Sequence, residues 1–319
     1  MVSKPVIRHD GGHINIKFMP ASQQVHQSQA VYQRTSVSES PKHMVLERAM
    51  KQLERLVGLE NVKDFIYEIY AWLYISQKRK EMGLKTTSQS LHMIFKGNPG
   101  TGKTTVARIL SQMFQDIGVL SKGHLVEVER GDLVGEYIGH TAQKTRETVK
   151  KALGGILFID EAYSLARGGD KDFGKEAIDC LVKAMEDYRD QFILILAGYP
   201  QEMDYFLSSN PGLPSRFPIM LEFKNYTIVE LLAIADIMAE DREYRLTAPA
   251  RKKLRLILEQ HMRLNPHNFS NARFVRNVIE RAIREHAVRM LSSEPHTREE
   301  LMTLSAEDFI LQEDNTYFN

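Results

Sequence analysis

The sequence predicts an α/β fold, a five-stranded parallel sheet covered by helices and followed by an all-helical C-terminal part. Three observations predict it. Short apolar runs at Leu91–Lys96, Leu125–Val128, Ile156–Ile159, Phe192–Ala197 and Ile219–Phe223 alternate with segments whose apolar residues recur at helical spacing. Strands alternating with helices imply a parallel sheet buried on both faces. Gly97–Thr104 fits G-x-x-x-x-G-K-[ST] at every fixed position, between the first apolar run and a helical segment. Beyond Tyr226 the strand signals stop and only helical spacing remains.

Length and composition bound the function. A chain of 319 residues is long enough for a core domain and a smaller companion. With 42 basic against 41 acidic side chains the net charge is +1, so no global field draws the chain to nucleic acid or to a membrane surface. The absence of an apolar run of about 18 residues, and of an apolar signal core at the N-terminus, predicts a cytoplasmic protein. A single cysteine, Cys180, excludes an internal disulfide framework; at helical spacing among apolar neighbours it reads as a small core residue. The eleven histidines include no H-E-x-x-H and have no cysteine partners, so no zinc site is expected.

Residues 1–42 are polar and lack a helical apolar stripe, and are expected to be a largely disordered tail. Within them Ile14, Ile16 and Phe18 alternate, a weak signal for a strand that pairs with a partner. Val45–Leu56 reads as a helix, Val57-Gly58-Leu59 interrupts it, and Asn61 to about Met82 reads as a second helix with Gly83 as its C-cap. After the glycine-rich turn, Val106, Ile109, Leu110, Met113, Phe114 and Ile117 place a helix from about Gly102. The strand at Leu125–Val128 leads through Gly131–Gly139 to a helix over Thr141–Leu153, and Gly154-Gly155 opens the strand at Ile156. A glycine-rich loop at Arg167–Asp170, a helix with Ile178, Leu181, Val182 and Met185, and the strand Phe192–Ala197 follow. A loop through Asn210–Phe217 leads to the last strand. Three helices, at about 227–240, 247–263 and 270–291, the last with Ser270 at its cap, and a short capped segment near Ser305–Ile310 end the reading. The expected organisation is a tail over 1–42, a nucleotide-binding α/β part over 43–225 and a helical part over 226–319.

The glycine-rich turn is an anion cradle. Glycines let the backbone approach closely, successive N–H groups point inward, and the helix N-terminus favours phosphate. Gly97, Asn98, Pro99, Gly100, Thr101, Gly102 and Thr105 would form the phosphate site of ATP. Lys103 would reach the β- and γ-phosphates, and the Thr104 hydroxyl would coordinate Mg²⁺. The apolar run Ile156–Ile159 ends in Asp160-Glu161. A buried strand can hold carboxylates only at its C-terminal tip, where the ligand crevice of an α/β sheet lies. Asp160 would hold Mg²⁺, directly or through water, and Glu161 would polarise the attacking water.

At this point a family resemblance emerges. Gly97–Thr104, Tyr137-Ile138-Gly139-His140-Thr141, Gly154–Tyr163, Leu196-Ala197-Gly198-Tyr199 and Asn271–Asn277 resemble the red-type Rubisco activases, a subfamily of AAA+ ATPases, over roughly residues 45–312. The resemblance implies a Mg²⁺-dependent ATPase that forms a hexameric ring and threads or tugs a protein client. It implies that Tyr137, Ile138 and Gly139 form the first pore loop, with Tyr137 gripping the client, and that Arg167–Phe173 form a second. It makes Arg216 an arginine finger for the neighbouring subunit's γ-phosphate and Arg273 the second sensor, with Arg276 as the alternative. Val57 and Gly58 would pack against adenine. Within the subfamily the resemblance is to a sporulation branch, which implies spore maturation in the mother-cell cytoplasm. From the residues alone, Tyr137 could equally be a core tyrosine, and Arg216 a surface arginine in a salt bridge.

One departure stands out. Many AAA+ proteins place Asn or Thr at the tip of the fourth strand to orient water, whereas this chain has Ala197-Gly198-Tyr199-Pro200, leaving the Tyr199 hydroxyl as the candidate. Other classes remain open: a nucleic-acid loader or motor, a P-loop kinase, or a nucleotide-gated scaffold with little turnover. The neutral charge and the aromatic loop count against the first, and the arginine finger and pore loop count against the kinase.

Overall fold

A computed structural model of the chain describes residues 43–86, 89–137, 139–167, 172–210, 212–266, 268–292 and 296–310. The tail over 1–42, Ile138, most of the second candidate pore loop and the last nine residues lie outside them.

Helices α1 (Met44–Glu54) and α2 (Glu60–Glu81) precede the sheet. Gly83 ends α2 as expected. At φ +72 its N–H donates to Lys80 O while Leu84 N–H donates to Arg79 O, which satisfies two of the helix's last carbonyls. Strands β1 (Met93–Gly97), β2 (Leu125–Val128), β3 (Ile156–Ile159), β4 (Ile193–Gly198) and β5 (Ile219–Phe223) form one parallel sheet in the order β2-β3-β4-β1-β5.

Alternation along the strands explains the unbroken apolar runs. Met93 and Phe95 of β1, Ile156 and Phe158 of β3, and Ile193, Ile195 and Ala197 of β4 join one core with α1, α2 and α3 (Lys103–Asp116). Their neighbours Ile94, Leu157, Ile159, Leu194 and Leu196 join a second core with α5 (His140–Ala152) and α6 (Gly174–Asp187). The inner strands β3 and β4 are buried along their whole length and leave polar residues only past their tips, while the edge strands β2 and β5 expose Glu127 and Glu222. Gly97 at the end of β1, and Asp160 and Tyr199 just past β3 and β4, thus stand at the C-terminal edge of the sheet.

Two helices in this half have no counterpart in the sequence reading: α4 (Arg130–Leu133) and α7 (Pro200–Ser208). Pro200 sits at the first turn of α7, where its missing N–H is not needed, and Met203, Phe206 and Leu207 are its buried face.

After β5 the chain is helical: α8 (Ile228–Glu240), α9 (Ala248–Leu264), α10 (Asn271–Met290) and α11 (Arg298–Leu301). The strand signals do not stop entirely, because Arg245–Leu246 (β6) pairs in parallel with Thr303–Leu304 (β7). Asp308 ties this end down. Its buried carboxylate takes Nε and Nη2 of Arg289 at 2.8 and 2.9 Å and the N–H of Ser305 at 2.7 Å. Arg289 and the Ser305 hydrogen bonds hold it below the ordinary aspartate range despite the upward push of burial. Ser270 stands at the N-cap of α10, but its side chain makes no capping bond, contrary to expectation; its backbone carbonyl is used instead, accepting from Arg273 N–H at 3.0 Å. Among the described residues no helix is long and apolar enough to cross a membrane.

Candidate nucleotide site

The glycine-rich turn joins β1 to α3 with Gly100 and Gly102 at φ +69 and +96, a left-handed conformation that a side chain would strain. Thr101 is fully buried and fastens the turn by donating its hydroxyl to Asn98 O at 2.7 Å. Lys103 Nζ folds back onto the turn and donates to Gly97 O at 2.8 Å and Asn98 O at 3.0 Å. Burial pushes the Lys103 ammonium below its ordinary range, opposed by Asp160 and Glu161 and assisted by Arg273. A cation held partly dry beside two carboxylates is poised for phosphate.

A cavity of about 710 Å³ opens over this turn. Gly97, Pro99, Gly100, Gly102, Lys103, Thr104 and Thr105 line its floor, and Asp160 and Glu161 come from the tip of β3. Val57, with Ile234 and Met238 of α8 and Arg273 and Arg276 of α10, lines the cavity as well. The residues expected at the nucleotide thus converge from segments up to 219 positions apart, with four exceptions. Asn98, Gly58 and Thr101 support the wall without lining it, and Arg216 is elsewhere. Gly58, at φ +67, has its α-carbon so close to the Glu230 carboxylate that an added Cβ would stand 2.3 Å away.

Glu161 sits at φ +47, in the left-handed region, with its N–H donating to Asp160 Oδ1 at 3.0 Å. Tyr199 lines the cavity and its ring lies 5.9 Å from that of Tyr163. Burial, then Glu161, raises the Tyr199 phenol, which keeps it a neutral donor. Thr104 and Asp160 supply oxygen donors to one cavity. A hydroxyl and a carboxylate are the hard oxygen donors that Mg²⁺ takes, with phosphate and water oxygens completing its shell.

Tyr226 is a site residue that no sequence pattern marks. It is buried, lines the cavity, and donates its hydroxyl to Thr101 O at 3.2 Å, with burial pushing its pKa up to about 12. A lone tyrosine after a strand carries no motif that could have signalled this.

Two expected functional residues lie away from the cavity. Arg216, in a short 3₁₀ turn (Pro214–Arg216) before β5, donates Nη1 to Gly212 O at 2.8 Å and Nη2 to Glu186 Oε1 at 2.6 Å. Within a single chain Arg216 is a surface arginine in an ion pair with Glu186. Tyr137 is 66% exposed on the turn before α5, its ring edge-on to His140 at 5.5 Å. A core position for Tyr137 is therefore overturned. The base of that turn is stapled to α5 by buried threonines: Thr141 Oγ1 accepts from Gly135 N–H at 3.0 Å, and Thr145 and Thr148 donate to Leu133 O and Asp132 O.

Residues 93–225 match the family model described as ATPase family associated with various cellular activities (AAA), and 227–318 match the AAA lid domain. Over 318 residues the chain is 53% identical to Stage V sporulation protein K of Bacillus subtilis, covering 98% of each protein. The chain belongs to the AAA ATPase family. It is also 43% identical to a chloroplastic ribulose bisphosphate carboxylase/oxygenase activase of Cyanidioschyzon merolae, over 88% of this chain and 97% of that one, and 45% identical to the chromosomal CbxX protein of Cupriavidus necator, over 86% and 87%. Among solved structures, an arginine-to-alanine form of Thermotoga maritima RuvB superposes with a TM-score of 0.53 at 22% identity, over 80% of this chain and 68% of that one, which shows a shared fold. This AAA ATPase binds and hydrolyses ATP, and the helices after β5 lie within the part that matches the AAA lid domain.

Proposed function

We propose that this ATPase is a Mg²⁺-dependent protein remodeller that works as a homo-oligomeric ring, a hexamer, and pulls a protein client past Tyr137. The observation that carries the reading is Tyr137 itself, a large aromatic held two-thirds exposed on a glycine-flanked turn whose base is pinned to α5. Exposing such a ring has a solvation cost, and its use is to hold an extended chain by ring contact without sequence preference.

In the cycle, Lys103 leaves the Gly97 and Asn98 carbonyls for the β- and γ-phosphates. Thr104 and Asp160 would hold Mg²⁺, which when bound would neutralise phosphate charge. Glu161 orients and deprotonates the attacking water, with the Tyr199 hydroxyl as a second orienting donor, and Arg273 follows the phosphates from the lid. Val57 and Gly58 frame the adenine side. Arg216 is absent from its own chain's cavity, which supports its use on a neighbour's γ-phosphate once it leaves Glu186. The near-neutral charge favours a protein client over nucleic acid. Similarity to Stage V sporulation protein K over nearly the whole chain supports a role in spore maturation, in the mother-cell cytoplasm. The tail over 1–42, the α/β part over 43–225 and the lid over 226–319 are the units of this reading.

The test is Tyr137→Ala against an unfolded model protein such as casein. ATPase without casein stays within about two-fold of wild type, because Tyr137 is remote from the cavity, while stimulation by casein and casein cross-linking disappear. Undiminished stimulation and cross-linking would remove Tyr137 from the role.

A further inference from the structure

Asn271, the first residue of α10, makes side-chain hydrogen bonds to four different residues around the glycine-rich turn. It is fully buried and held at φ +47, in the left-handed region that asparagine tolerates better than most residues. Its Oδ1 accepts the N–H of Tyr226 at 2.9 Å. Its two amide hydrogens are shared among Phe269 O at 2.8 Å, Asn225 Oδ1 at 3.0 Å and Pro99 O at 3.3 Å. Three segments meet on this one side chain: the glycine-rich turn, the link from β5 into the lid, and the start of α10.

Parallel bonds run beside it. Ala272 N–H donates to Gly100 O at 3.2 Å, and Asn98 Nδ2 donates to Asn225 Oδ1 at 2.9 Å. The turn and the helix are in direct backbone contact, since a Cβ on Gly100 would stand 2.3 Å from Ser270 O. Arg273 lies two residues beyond Asn271 and Arg276 one turn on, both lining the cavity. Arginine side chains are long and flexible, so their reach is set by where the helix backbone stands.

We propose that Asn271 is the positioning residue for the arginines of α10. It bolts the first turn of the lid helix to the phosphate-binding turn, so that the lid follows that turn as one body and presents Arg273 at a fixed distance from the phosphates. The bolt also makes α10 a lever. Its 20 residues span about 30 Å, so a rotation of a few degrees at the phosphate turn moves its far end by a few Å. The proposal rests on the reading of Arg273 as a phosphate ligand.

A double-mutant cycle on Mg-ADP affinity tests it, with Asn271→Gly chosen because glycine accepts φ +47. Losing the side-chain bonds to the turn weakens Mg-ADP about ten-fold, the equivalent of one buried hydrogen bond. Arg273→Ala weakens it as well, and the double variant binds no more weakly than Arg273→Ala alone, because Asn271 acts through Arg273. Fully additive losses would overturn the positioning role, whereas wild-type affinity in Arg273→Ala would overturn the Arg273 reading instead. Hydrogen exchange on the unaltered protein is independent of how the variants fold. The Tyr226 and Ala272 amides are slow in the nucleotide-free chain, and exchange at the rate of an open linker would show that no bolt exists.

Discussion

Gly100→Ala is the sharpest test of how tightly the phosphate turn and the lid are fitted, because Gly118 provides a matched control. Both glycines have positive φ, +69 and +77, so an alanine at either costs about 1–2 kcal/mol of backbone strain. At Gly118 nothing lies within 4 Å of the added Cβ. At Gly100 the Cβ would stand 2.3 Å from Ser270 O and 2.7 Å from Arg273 N, where ordinary contact begins at 3.4 Å. These are backbone atoms that cannot swing aside, so the first turn of α10 must retreat by roughly 1 Å. That lengthens Ala272 N–H to Gly100 O from 3.2 Å, and Asn271 Nδ2 to Pro99 O from 3.3 Å, beyond hydrogen-bonding range. Two bonds at about 1 kcal/mol each add about 2 kcal/mol to the strain. Denaturant unfolding and ADP titration are the assays. Gly118→Ala loses about 1–2 kcal/mol and keeps wild-type affinity, while Gly100→Ala loses about 3–4 kcal/mol and binds ADP at least ten-fold more weakly. Equal losses and equal affinities in the two variants would refute the close approach.

Two further outcomes are expected. His92 is buried, accepts Leu194 N–H on Nδ1 at 3.0 Å, and lies against Phe192 and Phe217; burial lowers its pKa from 6.5 to about 4. The unfolded chain therefore binds this proton first, and about 3 kcal/mol of stability is lost as pH falls from about 6.5 to about 4. His92→Asn keeps an acceptor but does not titrate, and should flatten that part of the stability–pH curve; an unchanged slope would contradict the assignment. For Arg216, mixing Arg216→Ala with wild-type chains lowers ATPase more than in proportion to the fraction mixed, whereas a strictly proportional loss would leave Arg216 as a partner of Glu186 alone.

The central strand β3 was legible because a strand buried on both faces has to be apolar at every position, and the edge strands β2 and β5, which admit the exposed Glu127 and Glu222, still begin and end where the runs do. α7 was missed although Met203, Phe206 and Leu207 carry its spacing, because the polar and proline-containing Asn210–Phe217 stretch beside it reads as one long loop. The β6–β7 ladder has only two residues on each side and is set by contacts between α8, α10 and the chain's end, which no local pattern records. At the site, Lys103, Thr104, Asp160 and Glu161 were legible because motif and strand tip coincide. Tyr226 and Asn271 were not, since their meaning lies in bonds to Thr101 and Pro99, 125 and 172 positions away. Arg216 shows the converse: a single chain displays its ion pair with Glu186, and the proposed use on a neighbouring chain could not be read from one chain's contacts.

The central claim, a ring driven by ATP, is tested most directly by sedimentation velocity of Glu161→Gln with and without Mg-ATP. The substitution keeps Lys103, Thr104 and Asp160 for binding while removing the group that activates water, so ATP stays bound. The account predicts a shift with Mg-ATP from smaller species to a particle of about 220 kDa, six chains of 36.6 kDa. A chain that binds ATP and still sediments as a monomer at every concentration would contradict it.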